Sequence, residues 1–221
     1  MTDKFLEYNI DVVMCIDGTK SMEPYIEQIK ETARHFYDGF ILEMARAEKA
    51  VDKFRIKIIV FRDYLADWEP MKESKFFTFP DEMDEYLELV NGIKAYGGGN
   101  DRAENSLEAI ALAIKSDWVQ SGYKKRHEIL LFTDAPALPL GARKYYKNYP
   151  ENMPEDFDEL HEMWEGQEMD RKAKRMIIYA PNVKPWDDII DWTNSLVLPI
   201  EEMNQCGGSV ETSYRLMCNS I

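Results

Sequence analysis

The sequence predicts an α/β fold: a doubly wound, open and mostly parallel sheet with helices on both faces and one antiparallel edge strand. Three observations predict it. Short runs of consecutive apolar residues recur along the chain, helix-periodic stretches separate them, and loops of glycine or oxygen-bearing side chains follow several of the runs. Apolar residues on consecutive positions, not alternate ones, suit strands buried on both faces of a parallel sheet. Parallel neighbours in turn need crossover connections, which helices supply with a right-handed path.

The elements follow in order. The first run is Val12-Val13-Met14-Cys15-Ile16. After it, Met22, Ile26, Ile29, Ala33, Phe36 and Phe40 are spaced 4, 3, 4, 3 and 4 residues apart, which predicts an amphipathic helix of about five turns. The second run spans Phe54 to Phe61, and a polar edge strand is expected around Lys75–Phe79, closed by Pro80. Leu107, Ile110, Ala111, Ile114 and Trp118 make a second helical stripe. Asp101 as N-cap, with Glu104 three residues on, predicts the start of that helix. The third run is Ile129-Leu130-Leu131-Phe132, the fourth Met176-Ile177-Ile178-Tyr179, and a shorter one is Leu196-Val197-Leu198.

Pro136 to Asp170 is long for one connection and reads as a loop-plus-helix insertion at about 136–170, with an acidic helix near Phe157–Trp164. Its Tyr145, Tyr146 and Tyr149 are expected to pack the insertion onto the core, a partner surface being the other reading. Asp187-Asp188 lies on a short amphipathic stretch with Ile189, Ile190 and Trp192 and reads as surface. Met203, Cys206, Val210, Tyr214 and Met217 suggest a terminal helix weakened by Gly207-Gly208. No repeat or low-complexity linker interrupts 1–221, so one domain is expected.

Composition excludes several classes of function. With 27 basic and 41 acidic side chains the 221-residue chain carries −14, a field that repels nucleic-acid backbones. The basic groups Lys124-Lys125-Arg126 and Arg171-Lys172-Ala173-Lys174-Arg175 precede strands and read as solvated faces. No signal-peptide pattern and no apolar run approaching a membrane span occur, so a cytoplasmic protein without membrane contact is expected. Cys15, Cys206 and Cys218 form no CxxC pair, and His35, His127 and His161 are far apart, which argues against a disulfide framework and a structural zinc.

In doubly wound sheets ligands collect beyond the carboxyl ends of the strands. Asp17-Gly18-Thr19-Lys20-Ser21 follows the first run and Thr133-Asp134-Ala135 the third, while Gly97-Gly98-Gly99-Asn100-Asp101 precedes the second stripe. Three loops thus bring hard oxygen donors, and no His or Cys, to one edge. That donor set suits Mg²⁺, or Mn²⁺ in its place, which takes about six oxygens near 2.0–2.1 Å. The bland reading is a turn at Asp17 and a helix N-cap at Ser21.

Asp17-x-Thr19-x-Ser21 resembles the DxSxS (or DxTxS) signature of von Willebrand factor A domains and stands, as there, after the first strand. Gly97–Asp101 resembles the family's Gly-Gly loop and Asp134 its third, aspartate element. Phe61-Arg62-Asp63-Tyr64 and Glu104-Asn105-Ser106-Leu107-Glu108-Ala109 resemble intracellular bacterial and protist members. The resemblance implies a metal-ion-dependent adhesion site. Thr19 and Ser21 would ligate Mg²⁺ (or Mn²⁺/Ca²⁺) directly, and Asp17 and Asp134 through water. Asp101 would come from the middle loop, with Asn100 the other alignment. It also implies that another protein fills the open position with an acidic side chain, a binding role and not catalysis. Asp63 reads as a turn residue.

An enzymatic alternative rests on Cys15-Ile16-Asp17-Gly18-Thr19 and Leu130-Leu131-Phe132-Thr133, which resemble motifs of haloacid-dehalogenase-type Mg²⁺-dependent phosphatases. Those enzymes need a carboxylate nucleophile where this chain has Cys15, and they leave Ser21 and the triple glycine unexplained.

Overall fold

The computed structural model describes residues 7–99, 102–167 and 169–204. The apolar runs all become strands: β1 (Tyr8–Asp17), β2 (Lys53–Phe61), β5 (Lys124–Phe132), β6 (Lys174–Ala180) and β7 (Ser195–Pro199). The helices are α1 (Glu23–Arg46), α2 (Met83–Gly92), α3 (Ser106–Ile114), α4 (Phe157–Glu165) and the short α5 (Trp186–Ile189). The edge expected around Lys75–Phe79 is two short strands, β3 (Met71–Glu73) and β4 (Phe77–Phe79). They are not polar throughout: Phe77 and Phe79 are buried, alternating with half-buried Thr78.

All the strands join one sheet in the order β3-β2-β1-β5-β6-β7, with β4 also on β2. β1 pairs parallel with β2 and β5, β5 with β6, and β6 with β7; β3 and β4 run antiparallel to β2. The sheet is therefore mostly parallel with an antiparallel margin, as the consecutive apolar runs require.

Side chains alternate faces along a strand, so β1 feeds two cores. Ile10, Val12, Met14 and Ile16 pack with Ile29, Phe36 and Phe40 of α1 and Tyr86 and Val90 of α2. Val13 and Cys15 pack in the opposite layer with α3, with Leu160 and Trp164 of α4 and with Trp186 of α5. The α1 stripe is buried as its spacing predicts, and the helix continues to Arg46. α4 occupies the expected insertion and is the crossover helix that a parallel β5–β6 pair demands. Asp156 caps it, its Oδ1 accepting from the Glu159 amide at 2.9 Å.

Three further expectations need correction. α3 begins at Ser106, not near Asp101, because the backbone of Glu104 bridges Ala137: its amide donates to Pro136 O (3.0 Å) and its carbonyl accepts from Leu138 N (2.8 Å). The basic groups are not wholly solvated. Lys174 is fully buried, its ammonium 4.5 Å from the Trp164 ring centroid, and Arg126 is buried beside Glu128. The tyrosines divide: Tyr149 packs against Tyr64 with ring centroids 5.1 Å apart, whereas Tyr145 and Tyr146 are exposed. Asp101 and the expected terminal helix beyond Asn204 lie outside the described residues, as do Asn100, Cys206 and Cys218.

Candidate metal centre

The site grows from the end of β1. Asp17 is the last residue of that strand and wholly buried. Gly18 follows because a Cβ there would stand 2.6 Å from Arg62 Nη2 and 2.8 Å from Val60 Cγ1. The chain then turns through a single 3₁₀ turn, Lys20–Met22, into α1. The turn brings Thr19 and Ser21 to the carboxyl edge. Ser21 does not cap α1: the cap position is Met22, and no side chain caps it.

One carboxylate organises the first loop. Asp17 Oδ1 accepts from the Thr19 amide (2.9 Å) and from Thr19 Oγ1 (2.6 Å), and Oδ2 accepts from Thr133 Oγ1 (2.7 Å). Ser21 Oγ donates to Asp134 Oδ1 at 2.8 Å, and Thr19 Oγ1 lies 3.1 Å from Ser21 Oγ. Asp17, Thr19, Ser21 and Asp134 are thus brought together; Asp101 falls outside the described residues. Thr133 was not among the expected site residues. Its signal was its place beside Asp134 at the end of an apolar run, where its hydroxyl is buried against Asp17.

Each hydroxyl has one proton to donate. That of Thr19 goes to Asp17 and that of Ser21 to Asp134. Their 3.1 Å contact is then a juxtaposition of two acceptor oxygens, both with lone pairs left. Burial, the largest effect, pushes the Asp17 carboxyl up to about 6, against the hydrogen bonds from Thr19 and Thr133 that lower it. A cation nearby would relieve that cost.

The middle loop is held from the connection that follows β2. Gly97 and Gly98 have φ of +70° and +82°, the left-handed region open to glycine. Asp67 Oδ2 accepts from the Gly98 amide at 3.0 Å. Arg62 Nε donates to Gly18 O (2.9 Å) and Nη2 to Lys94 O (3.0 Å), joining the first and middle loops. Asp63 is a turn residue, accepting from the Leu65 amide at 2.7 Å, and it also pairs with Arg143 of the long connection at 3.1 Å. Between the loops lies a cleft of about 500 Å³ lined by Thr19, Ser21, Gly97, Gly98, Arg102 and Asp134, among others. Among the described residues no three His, Cys, Asp or Glu side chains converge as a metal cluster, so the donors here are two carboxylates and two hydroxyls.

The family model of the von Willebrand factor A domain matches residues 11–145, more than half of the chain. The chain belongs to the von Willebrand factor A domain family. Two solved structures share the fold of this von Willebrand factor A domain. One is a von Willebrand factor type A protein from Catenulispora acidiphila, at 13% identity and a TM-score of 0.55, aligned over 96% of this chain and 42% of that one. The other is the pilus adhesin SpaC from Lactobacillus rhamnosus GG, at 9% identity and a TM-score of 0.58, over 98% of this chain and 31% of that one. The chain spans less than half the length of either structure. No curated protein matches in sequence. The phosphatase reading finds no support in these comparisons, and Cys15 offers it no nucleophile: the thiol is buried, its Sγ faces Ala109 O at 3.6 Å, and burial pushes its pKa up. Among the described residues no helix is long and apolar enough to cross a membrane.

Proposed function

We propose that this von Willebrand factor A domain binds one divalent cation, Mg²⁺ first and Mn²⁺ or Ca²⁺ in its place, and through it an acidic side chain of a partner protein. Domains of the family typically mediate protein–protein interaction. Thr19 and Ser21 would ligate the ion directly, Asp17 and Asp134 through water, and Asp101 would add the middle-loop ligand.

The observation that carries the reading is the Thr19–Ser21 pair. Two oxygens about 2.0–2.1 Å from one ion and at right angles stand about 3 Å apart. The two hydroxyls lie 3.1 Å apart, with their protons already committed to Asp17 and Asp134. They are spaced and polarised as adjacent corners of an octahedron. The hard, uncharged-plus-carboxylate donor set favours Mg²⁺ over zinc or copper. The reading gives the chain a binding role and no catalytic group, in a cytoplasmic setting that suits the unpaired, buried Cys15.

Calorimetry with Mg²⁺ and Mn²⁺ tests it, on the native protein, on Asp17→Ala and on the Thr19→Ala/Ser21→Ala double variant. One ion bound per chain, lost in both variants while their folds persist, is the expected result. A folded native protein that takes up no ion at millimolar concentration overturns it.

A further inference from the structure

The exposed apolar side chains are not spread evenly. Among the described residues, Leu65, Trp68, Tyr96, Tyr145, Tyr146 and Val183 all sit on loops at the carboxyl ends of the strands, around the candidate site. The other large exposed apolar residues are Leu42 on α1, Tyr123 at the amino end of β5 and Ile190 beyond α5. Trp68 is 87% exposed and Tyr145 90%. Scattered single apolar residues need no explanation, but a rim of them around one cleft marks a contact surface.

The rim is fastened to the cleft. Trp68 follows Asp67, whose carboxylate holds the Gly98 amide, and Gly98 lines the cleft. Val183 lines it on the β6 side. Arg143 pairs with Asp63, which ties the segment of Tyr145 and Tyr146 to the loop of Leu65 and Trp68. Arg62 stacks 3.9 Å from the Tyr96 ring centroid while donating to Gly18 O. Aromatic side chains have few rotatable bonds to immobilise on binding, one reason that Trp and Tyr recur at the energetic centres of interfaces. Inside this rim the cleft is lined by two cations, Lys20 and Arg102, and two carboxylates, Glu104 and Asp134, and Lys20 pairs with Glu23 at 2.7 Å, which leaves Arg102 as the cation available to a ligand. The face is therefore of mixed charge at its centre, where an acidic ligand needs the ion and Arg102, and apolar at its edge.

We propose that the occupant of this face is a polypeptide segment in which an acidic residue is flanked by bulky apolar ones, the acid directed to the ion and Arg102 and the flanks seated on Trp68, Leu65 and Val183. The inference rests on the metal-binding reading above and adds the chemistry of the partner. A free carboxylate metabolite would use the centre and leave the rim idle; a second copy of the chain is the other candidate.

The experiment is a selection of random phage-displayed peptides on the immobilised protein in Mg²⁺, with elution by EDTA. Peptides with Asp or Glu next to aromatic or aliphatic residues are expected. Their synthetic versions should bind about tenfold or more weakly to Trp68→Ser, a loss of the size expected for one interface aromatic. Mg²⁺ calorimetry on that variant should be unchanged. Acidic peptides with no apolar preference, binding Trp68→Ser as tightly as the native protein, overturn the proposal and leave the metal reading standing. An empty selection with normal Mg²⁺ binding also overturns it, while an empty selection without Mg²⁺ binding removes both readings. Sedimentation of the protein alone tests the second-copy occupant: a dimer dissolved by Trp68→Ser overturns the peptide proposal.

Discussion

Replacing Asp17 by asparagine should stabilise the metal-free protein at neutral pH. The carboxyl is wholly buried, and burial raises its pKa from 3.8 to about 6 despite the hydrogen bonds it accepts from Thr19 and Thr133. A carboxyl with a raised pKa binds its proton more tightly in the folded than in the unfolded chain. The stability this contributes is fully present below about pH 4 and is lost as pH rises through about 6. About two orders of magnitude in proton affinity, at about 1.4 kcal/mol each, make the ionised form cost the fold about 3 kcal/mol at pH 7. Asparagine keeps the shape without the charge. Its carbonyl oxygen accepts from Thr19, and its amide donates to Thr133 Oγ1, a hydroxyl able to accept as well as donate. The full gain corresponds to about 6–12 °C in Tm for a chain of this size.

Thermal unfolding of native and Asp17→Asn proteins in EDTA from pH 4 to pH 8 measures this. The difference between the two curves isolates Asp17 from Glu108 and Glu128, whose burial also raises their pKa values. The curves should meet near pH 4 and separate through pH 6, the variant above. Saturating Mg²⁺ should raise only the native protein, because an ion that binds the folded state alone adds its binding free energy to stability. A variant that melts below the native protein at pH 7 in EDTA, or a difference that does not change with pH, would refute the burial argument.

Other substitutions test the loops and the core separately. Gly97→Ala should lower stability by about 1–2 kcal/mol, the cost of an L residue in the left-handed region; its Cβ would also stand 1.7 Å from Asp67 Oδ1, so Mg²⁺ affinity should fall with it. Gly92→Ala, in the last turn of α2 with open space around its Cβ, should instead add about 0.5–1 kcal/mol in urea denaturation and leave metal binding alone. Phe40→Ala removes a fully buried ring 5.4 Å from that of Phe54 and should cost about 3–5 kcal/mol, with ion stoichiometry unchanged in the folded fraction.

What could be read from the residues is what depends on local pattern. The strands β1, β2, β5, β6 and β7 are runs of consecutive apolar residues, and α1 shows its buried face in its spacing. Thr19, Ser21 and Asp134 stand out as candidates in the sequence because each follows a strand that the pattern locates, and the structure brings them together. α2 escaped because its buried side chains, Tyr86 and Val90, mark too short a stripe among acidic residues. β3 escaped because three residues cannot show a period. The start of α3 was misplaced because Glu104 answers to Pro136 and Leu138, partners more than thirty residues away that no local pattern contains. Thr133 and Asp67 were overlooked for the same reason: their roles exist only after β1, β2 and β5 have come side by side.

That adjacency also explains why the site lies where it does. From β1 the chain crosses to β2 on one side, and from β5 it crosses to β6 on the other, so the connections leaving β1 and β5 diverge. Two neighbouring parallel strands whose connections diverge leave a crevice at their carboxyl ends, the topological switch point of an open sheet. Asp17 ends β1, Thr133 and Asp134 follow β5, and the bonds from Thr133 to Asp17 and from Ser21 to Asp134 span that crevice. The arrangement assigns different work to the two carboxylates. Asp17, wholly buried, holds Thr19 and Thr133 in place; Asp134, half-buried, lines the cleft itself and holds Ser21 there. Two hydroxyl oxygens are left facing each other with their protons spent. The pH dependence of Asp17→Asn measures what it costs to bury the first of these carboxylates in ionised form with no cation beside it.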